Sequence, residues 1–134
     1  MKVTTNPLTA LGRVVPVLLG LVAAAGCAHP AQDYLEGRWL GSRVENVDDE
    51  LMPAVTGWVR GTSFEFVGSQ VTVAIPAEEP RTGDYEILHS EGFDLVIAVH
   101  DDAEGIYEAR FEREDDQLRW DVGGGRAVVL TRER

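Results

Sequence analysis

Residues 63–74 read SFEFVGSQVTVA, the clearest β-hairpin pattern in the chain. Apolar residues alternate with other residues on both sides of a central Gly-Ser pair, which is the period of a half-buried β-strand. A Gly-Ser pair between two such runs predicts a two-residue hairpin turn. That turn sets Phe66 opposite Val71 and Phe64 opposite Val73, so the apolar faces of the two strands coincide. The stretch therefore predicts an antiparallel pair with one buried face.

A second hairpin is predicted over residues 85–99, where apolar residues again alternate. The loop Ser90-Glu91-Gly92 ends in the glycine that the left-handed position of a three-residue loop prefers. This loop pairs His89 with Phe93 and directs Phe93 into the interior. A two-residue loop would put the apolar faces of the two strands out of phase, so the three-residue loop is favoured.

The remaining strands follow the same alternation. An acidic four-residue turn at 113–116 joins two runs, and the glycines at 123–125 lead into a last strand with Val128 and Leu130 facing inward. With a first strand around 38–44, the chain contains about eight short strands. Closing such a meander removes its open edges. We therefore expect an all-β fold, a single antiparallel up-and-down β-barrel, and favour it over a sandwich.

One segment departs from the alternation. Between Asp48 and Val59 the apolar residues recur at helical spacing, and Pro53 lies near the first turn. Asp48 or Asp49 could cap such a helix. The segment predicts either a short helix that covers the barrel as a lid or a loop that leads into a longer second strand.

Weak motifs add a family resemblance. Gly37-Arg38-Trp39 at the start of the first strand, Gly83-Asp84-Tyr85 and the closing Leu130-Thr131-Arg132 resemble the pattern of small bacterial lipocalin-like lipoproteins. The resemblance implies that residues 37–134 form a lipocalin-like barrel. It also implies that Arg132 of the last strand covers Trp39 at the base of the barrel, within about 6 Å, the usual reach of a cation–π contact. Gly37, Trp39 and Arg132 would then close the barrel.

The start of the chain is typical of a secretion leader that ends on the only cysteine. Lys2 and Arg13 are followed by an apolar run over residues 14–25 and by small residues, the order found in signal peptides. The apolar run is interrupted by Pro16 and is shorter than the roughly 20 residues of a membrane span. A secreted protein with an incidental Cys27 is the alternative, but a lone free thiol is unusual in that setting.

Ala24-Ala25-Gly26-Cys27 resembles a bacterial lipobox. The resemblance implies that residues 1–26 are a lipoprotein signal peptide and that Cys27 is diacylated, which anchors the protein to a membrane. Residues 27–36 would be the lipidated tether. Ala28 follows the cysteine where an aspartate would direct retention in the inner membrane. We therefore expect the bacterial cell envelope, at the outer membrane facing the periplasm.

The chain is strongly acidic after the predicted leader. Residues 27–134 carry 23 acidic side chains against ten arginines and no lysine, a net charge of −13. Such a surface repels nucleic acid, so we expect no nucleic-acid partner. A basic protein partner fits better. The acidic surface supports one interpretation of function, a filled-core barrel that acts as a periplasmic protein-interaction or inhibitor module.

The sequence has no pattern of a catalytic site. His89 and His100 lie on one predicted hairpin, more than about 20 Å apart at 3.3 Å per residue, so they cannot share a metal. No serine lies in a nucleophile elbow, no glycine-rich loop precedes a helix, and acylation would consume the one cysteine. We expect neither enzymatic activity nor a cofactor.

Acidic clusters fall at four predicted turns, and solvated turns are the favoured interpretation of all of them. Calcium needs six to eight converging oxygens, and no cluster has the spacing of a helix–loop–helix calcium site. We therefore predict no metal site. Asp101, Asp102 and Glu104 are the weak candidates if a cation binds at all.

The predicted barrel interior is the remaining place for function, because its inward positions carry no charged residue. An eight-stranded barrel is just wide enough for its own side chains or for one small ligand. The many bulky residues favour a filled interior, whereas a cavity would hold a small apolar molecule or an envelope component. The aromatic candidates for ligand-lining residues are Phe64, Phe66, Tyr85, Phe93, Tyr107, Phe111 and Trp120.

Overall fold

The structure, a computed structural model, describes residues 29–103 and 105–134. The predicted signal peptide at 1–26 and the predicted lipidation site Cys27 lie outside the described residues, as does Glu104. Residues Ala31–Arg134 form a compact unit. Neither helix in the described ranges has the length and apolar character needed to cross a membrane.

The described chain contains two short α-helices and eight strands, with a 3₁₀ turn at Asp49–Leu51. The helices are α1 (Pro30–Leu35) and α2 (Met52–Arg60). The strands are β1 (Gly37–Glu45), β2 (Ser63–Val67), β3 (Gln70–Ala74), β4 (Arg81–Glu91), β5 (Asp94–Asp101), β6 (Gly105–Glu114), β7 (Gln117–Gly123) and β8 (Arg126–Arg132).

The strands form a closed antiparallel barrel in sequence order, which confirms the predicted fold. Each strand pairs with the next, and β8 returns to pair with β1, so the described sheet has no open edge. The starts of β1, β3, β5 and β7 lie at one end of the barrel, which we call the α1 end. The opposite end carries the β3–β4, β5–β6 and β7–β8 connections, and we call it the open end.

The hairpin at residues 63–74 has the predicted register. Phe66 pairs with Val71 and Phe64 with Val73, across a two-residue turn. Phe64, Phe66 and Val71 are buried in the core. Here the alternation and the turn chemistry agree, so the sequence determines which side chains face inward.

The predicted register of the β4–β5 hairpin is wrong. Glu91 pairs with Asp94 across a two-residue turn, and the register then shifts between Ile87 and His89. That irregularity inserts one extra residue into β4, which brings Ile87 back to the inner face although the loop has only two residues. Phe93 lies in the turn with 69% of its surface exposed, so it does not face the interior.

The β6–β7 turn is also shorter than predicted. Glu114 pairs with Gln117, so the turn has two residues rather than four, and Phe111 lies opposite Trp120. A shift of two positions keeps the same residues facing inward, because side chains alternate with a period of two. Val122 of β7 is 41% exposed, near the irregularity that precedes the glycine turn.

The last strand faces as predicted, since Val128 and Leu130 are both buried in the core. They pair with Trp120 and Leu118 of β7. The inner faces of β7 and β8 therefore form a continuous apolar surface next to β1.

Part of the segment predicted to be a tether is folded. Residues 30–35 form α1, and its Ala31 and Leu35 side chains are buried in the same cluster as Trp39. The compact unit thus begins at Ala31, ahead of the expected boundary at Gly37. The local apolar spacing in α1 is too short to reveal a helix by periodicity, which explains why the sequence did not predict it.

The predicted short helix is present as α2, directly after the 3₁₀ turn. Asp48 occupies the position before that turn but makes no side-chain capping hydrogen bond. Val59 is fully buried, and a β-carbon on Gly41 would lie 2.0 Å from the Val59 carbonyl oxygen. The glycine therefore permits α2 to pack closely on β1, at one side of the open end.

The barrel closes through the predicted contact between Trp39 and Arg132. The two residues are paired in the β1–β8 ladder, and the Arg132 guanidinium carbon lies 4.2 Å from the Trp39 ring centroid. Gly37 has a φ of 116°. A β-carbon built on Gly37 would lie 3.7 Å from Arg132 Nη1. A side chain at Gly37 would be strained there, which gives a physical reason for the glycine two residues before the tryptophan.

The same guanidinium completes the C-terminal end of α1. Arg132 Nη2 donates to the Tyr34 carbonyl at 2.6 Å and Nη1 to the Glu36 carbonyl at 2.9 Å. The Trp39 indole N–H donates to the Leu35 carbonyl at 2.8 Å. Carbonyls at a helix C-terminus lack partners within the helix, so these bonds satisfy groups that would otherwise be unpaired.

We predict that Trp39→Ala lowers the free energy of unfolding by about 3–5 kcal/mol, because the ring is fully buried and its loss leaves a cavity. Trp58→Ala is the matched control, since Trp58 is only partly buried in α2 and should cost less. Urea unfolding followed by circular dichroism measures both. Equal losses in the two variants would contradict the central role of Trp39.

Candidate ligand-binding site

The interior is filled at the α1 end. Phe66 packs edge-on against Tyr85, with ring centroids 5.2 Å apart, and both are buried. Trp39, Leu118 and Leu130 are fully buried in the same cluster. Together with the buried face of α1, these side chains leave the core at this end closely packed.

A cavity of about 320 Å³ lies towards the open end. This volume is at the lower limit of the roughly 300–1,000 Å³ found for small-molecule sites. No residue of α2 contributes to its wall. The lining residues are Phe64, Val73, Ile75, Glu78, Glu79, Arg81, Tyr107, Glu108, Ala109 and Trp120.

Phe64 separates the cavity from the filled half of the barrel. Its ring makes edge-to-face contacts with Trp120 at 5.0 Å and Phe111 at 5.5 Å, and it stacks on Phe66 at 6.2 Å. Edge-to-face aromatic pairs at these distances are favourable and hold the rings in fixed orientations. The inner wall of the cavity is therefore a surface of packed aromatic rings.

The mouth of the cavity carries charge. Arg81 Nη2 donates to Glu78 Oε1 at 2.8 Å, and Glu108 lies 3.4 Å from Arg110, which is outside the cavity lining. Glu79 forms no ion pair with a described residue. The lining thus has three carboxylates and one guanidinium, a net charge of −2. Apolar walls with a charged mouth can hold an apolar body and orient one polar group.

Three of the seven candidate aromatic residues line this cavity, namely Phe64, Tyr107 and Trp120. Phe66, Tyr85 and Phe111 belong to the filled core instead. Phe93 is exposed in the β4–β5 turn and does not face the interior as predicted, because the turn has two residues rather than three.

The sequence does not predict that charged residues line the mouth of the cavity. Glu78 and Glu79 lie in the β3–β4 connection and Arg81 begins β4; the two glutamates form one of the four acidic clusters for which a solvated turn is the favoured prediction. Ala77 in this connection has φ of 71°, a conformation that no local sequence pattern signals for alanine. The connection brings its charges to the cavity mouth, so only the three-dimensional path of the loop reveals their position.

The polar group that stands out in the filled core is the Tyr85 hydroxyl. It is buried and has no hydrogen-bond partner among the described residues. Burial and, to a smaller extent, the nearby Glu36 carboxylate together raise the pKa of Tyr85 to about 12, against an opposing effect of the Gln32 side chain. Burial also raises the pKa of Tyr34, whose hydroxyl donates to the Asp115 carbonyl at 2.7 Å.

The candidate cation residues do not form a metal centre in the part of the chain that is described. Asp101 is buried, and its Oδ1 accepts from the Ala103 amide at 2.7 Å, a local turn contact. No group of three or more histidine, cysteine, aspartate or glutamate residues within 29–103 and 105–134 could hold a metal ion. His89 and His100 each lie near a glutamate, Glu91 and Glu86 respectively, and are not brought together.

A larger concavity of about 680 Å³ lies on the outer face of the barrel. Its charged side chains partly neutralise each other, since Arg119 forms an ion pair with Glu45 and lies 3.9 Å from Glu112. It is lined by charged side chains of the outer barrel face and by the glycine turn at 123–125. Such a shallow polar surface cannot desolvate a small molecule, so the smaller inner cavity is the better ligand site.

Comparison of the chain with models of known protein families, with curated protein sequences and with solved structures found no match. The closed eight-stranded barrel is consistent with a lipocalin-like fold.

We predict that stability decreases as pH rises from 10 to 12. The unfolded chain releases the Tyr85 proton near its ordinary pKa of 10.0, whereas the folded protein retains it to about 12. The unfolded state then binds fewer protons, so the free energy of unfolding falls by up to about 1.4 kcal/mol per pH unit. Urea unfolding across this pH range measures the slope.

The matched variant is Tyr85→Phe, which should make the slope shallower and leave stability at neutral pH unchanged or higher, because it removes an unpaired buried hydroxyl. Tyr34→Phe is the control that accounts for the second tyrosine. An unchanged slope in Tyr85→Phe would show that this group is not responsible.

Proposed function

We propose that the protein is a lipid-anchored envelope β-barrel, lipocalin-like in its fold, that binds a small apolar molecule or envelope component inside the barrel. The observation that supports binding is the 320 Å³ cavity with its floor formed by Phe64 and its walls by Tyr107 and Trp120. A fully packed interior would leave no room for a ligand, and the α1 end shows that this chain can pack its core tightly where side chains allow it.

The cavity is suited to a ligand because its apolar surface is already in place. Val73, Ile75 and Ala109 complete the wall beside the aromatic rings. Water against these apolar walls finds few hydrogen-bond partners, so its release on binding favours an apolar ligand body. A preformed wall also lowers the conformational entropy lost on binding.

The proposed anchor rests on the resemblance of residues 24–27 to a lipobox. Two acyl chains on Cys27 give stable attachment to a membrane, where one chain would give only marginal binding. Ala28 supports the outer membrane over the inner one. The protein would then act in the bacterial envelope and face the periplasm.

A second candidate function is a protein-interaction or inhibitor module for a basic partner. It is favoured by the net charge of −13 over residues 27–134. It is the weaker candidate, because recognition of a basic partner through surface charge would not involve the apolar cavity inside the barrel.

We expect the anchor to depend on Cys27. In a double-membraned bacterium the wild-type chain should incorporate radiolabelled palmitate and sediment with outer membranes, whereas Cys27→Ser should do neither. Ala28→Asp is the matched variant, which should keep the label and move the protein to the inner-membrane fraction. Label retained in Cys27→Ser would exclude lipidation at this residue.

We expect the purified protein to bind 1-octanol and to lose that binding in Val73→Trp, since an indole at this position fills the cavity. Val73 is only partly buried, so the larger ring can be accommodated with little change in stability. Calorimetry measures binding, and circular dichroism confirms that the variant is folded. Val67→Trp is the control, because Val67 is exposed outside the cavity. Octanol binding that survives in Val73→Trp would disprove the proposed site.

A further inference from the structure

We propose that the ligand of this cavity is an amphiphilic organic cation, with an apolar body and a single positively charged head group. The inference rests on the proposed function, since it names the chemical class that the same cavity selects. Two features of the cavity support it: the aromatic inner wall and the net negative charge of the residues at the mouth.

The aromatic wall favours a cation over other polar head groups. Trp120 and Tyr107 are both half-buried, so parts of their rings face the cavity rather than the core. The face of an aromatic ring carries negative potential and attracts an organic cation within about 6 Å, most strongly for tryptophan. The same faces repel an anionic head group, while a neutral one gains only the apolar contact.

The mouth adds charge of the matching sign. Its single guanidinium, on Arg81, already contacts Glu78 at 2.8 Å and so offers little to an incoming anion. Glu79 forms no ion pair with a described residue, which leaves its carboxylate available to a ligand. A cationic head group at the mouth would therefore gain a partner without breaking an existing ion pair.

The dimensions of the cavity limit the ligand to one head group and a short body. The apolar wall extends from the mouth at Ile75 to the floor at Phe64, and the floor is fixed by packing against Phe111. At about 320 Å³ the cavity is too small for a lipid with two acyl chains, since even drug-sized ligands occupy sites of up to about 1,000 Å³. A single short chain with a compact cation fits this shape.

The net negative charge of the whole domain also favours a cationic ligand over an anionic one. With a net charge of −13 over residues 27–134, the surface raises the local concentration of cations and lowers that of anions. This attraction is screened by salt, whereas the apolar contact is not. The two contributions can therefore be separated by ionic strength.

The test compares three ligands with the same alkyl chain: octyltrimethylammonium, 1-octanol and octyl sulfate, each below its micellar concentration. Calorimetry on the purified protein should give the order cation, then alcohol, then sulfate. The cation should bind at least about threefold more tightly than the alcohol, which is the contribution expected of one exposed cation–π contact. Raising the ionic strength should weaken binding of the cation and leave that of octanol unchanged.

The variant that tests the mouth is Glu79→Gln, which is nearly isosteric and lies in an exposed connection. It should weaken octyltrimethylammonium binding about two- to fivefold, the range of an exposed ion pair, without changing the affinity for octanol. Glu65→Gln is the matched control, because Glu65 is exposed on β2 next to Phe64 but points away from the interior. Trp120→Leu should reduce the preference for the cation over octanol while both ligands still bind.

The outcomes distinguish this inference from the proposed function. If octanol or octyl sulfate binds as tightly as octyltrimethylammonium, or if Glu79→Gln leaves the cation affinity unchanged, the preference for cations is disproved and the apolar site remains. If none of the three ligands binds, both the inference and the proposed function fail. If the cation binds equally well to Val73→Trp, it binds elsewhere on the acidic surface, and the inference is again overturned.

Discussion

The guanidinium of Arg132 contacts the elements that meet where the barrel closes. It lies against the ring of Trp39, donates to carbonyls of Tyr34 and Glu36, and so joins the last strand, the first strand and α1. Its Nε lies 3.5 Å from Asp116 in the β6–β7 turn, which extends the contact to a fourth element. A barrel has an interior only when its first and last strands pair, and this side chain covers the place where they meet. The enclosed volume of the molecule follows from that closure.

Closure alone does not create a cavity, because an eight-stranded barrel can be filled by its own side chains. The two ends of this barrel differ in what covers them. At one end α1 buries Ala31 and Leu35 against the core. At the other end α2 covers only the side next to β1, where Gly41 lets it approach. The short strands β2 and β3 and the small Ala109 leave the space above the ring of Phe64 unfilled.

The sequence predicted the features that depend on alternation and on standard turns, and it failed where the backbone departs from them. The register of residues 63–74 followed from a Gly-Ser turn between two alternating runs, and the contact of Trp39 with Arg132 was implied by the resemblance to the lipocalin-like pattern. Phe93 was placed inside because a loop of three residues kept the faces in phase, whereas the chain uses a shorter loop and an irregularity in β4. A three-residue loop and a two-residue loop with a β-bulge both keep the apolar residues on one face, so the hydrophobic pattern does not distinguish them. The aromatic walls could be predicted in part, but the charged mouth could not, because Glu79 and Arg81 reach it through an irregular connection.

The apolar walls and the charge of the cavity come from different residues, and this makes the two contributions to binding independent. The rings of Phe64 and Trp120 are held by edge-to-face packing inside the barrel, while Glu79 lies on a connection between strands that contributes little to the core. Changing the carboxylate therefore alters the potential at the mouth without disturbing the walls, and changing Val73 alters the volume without altering the charge. Because effects at residues that share no contacts add, affinity and selectivity at this site can be assigned to separate side chains. Under the proposed function, the aromatic floor would set the size and shape of the ligand, and the charged mouth would set the charge of its head group.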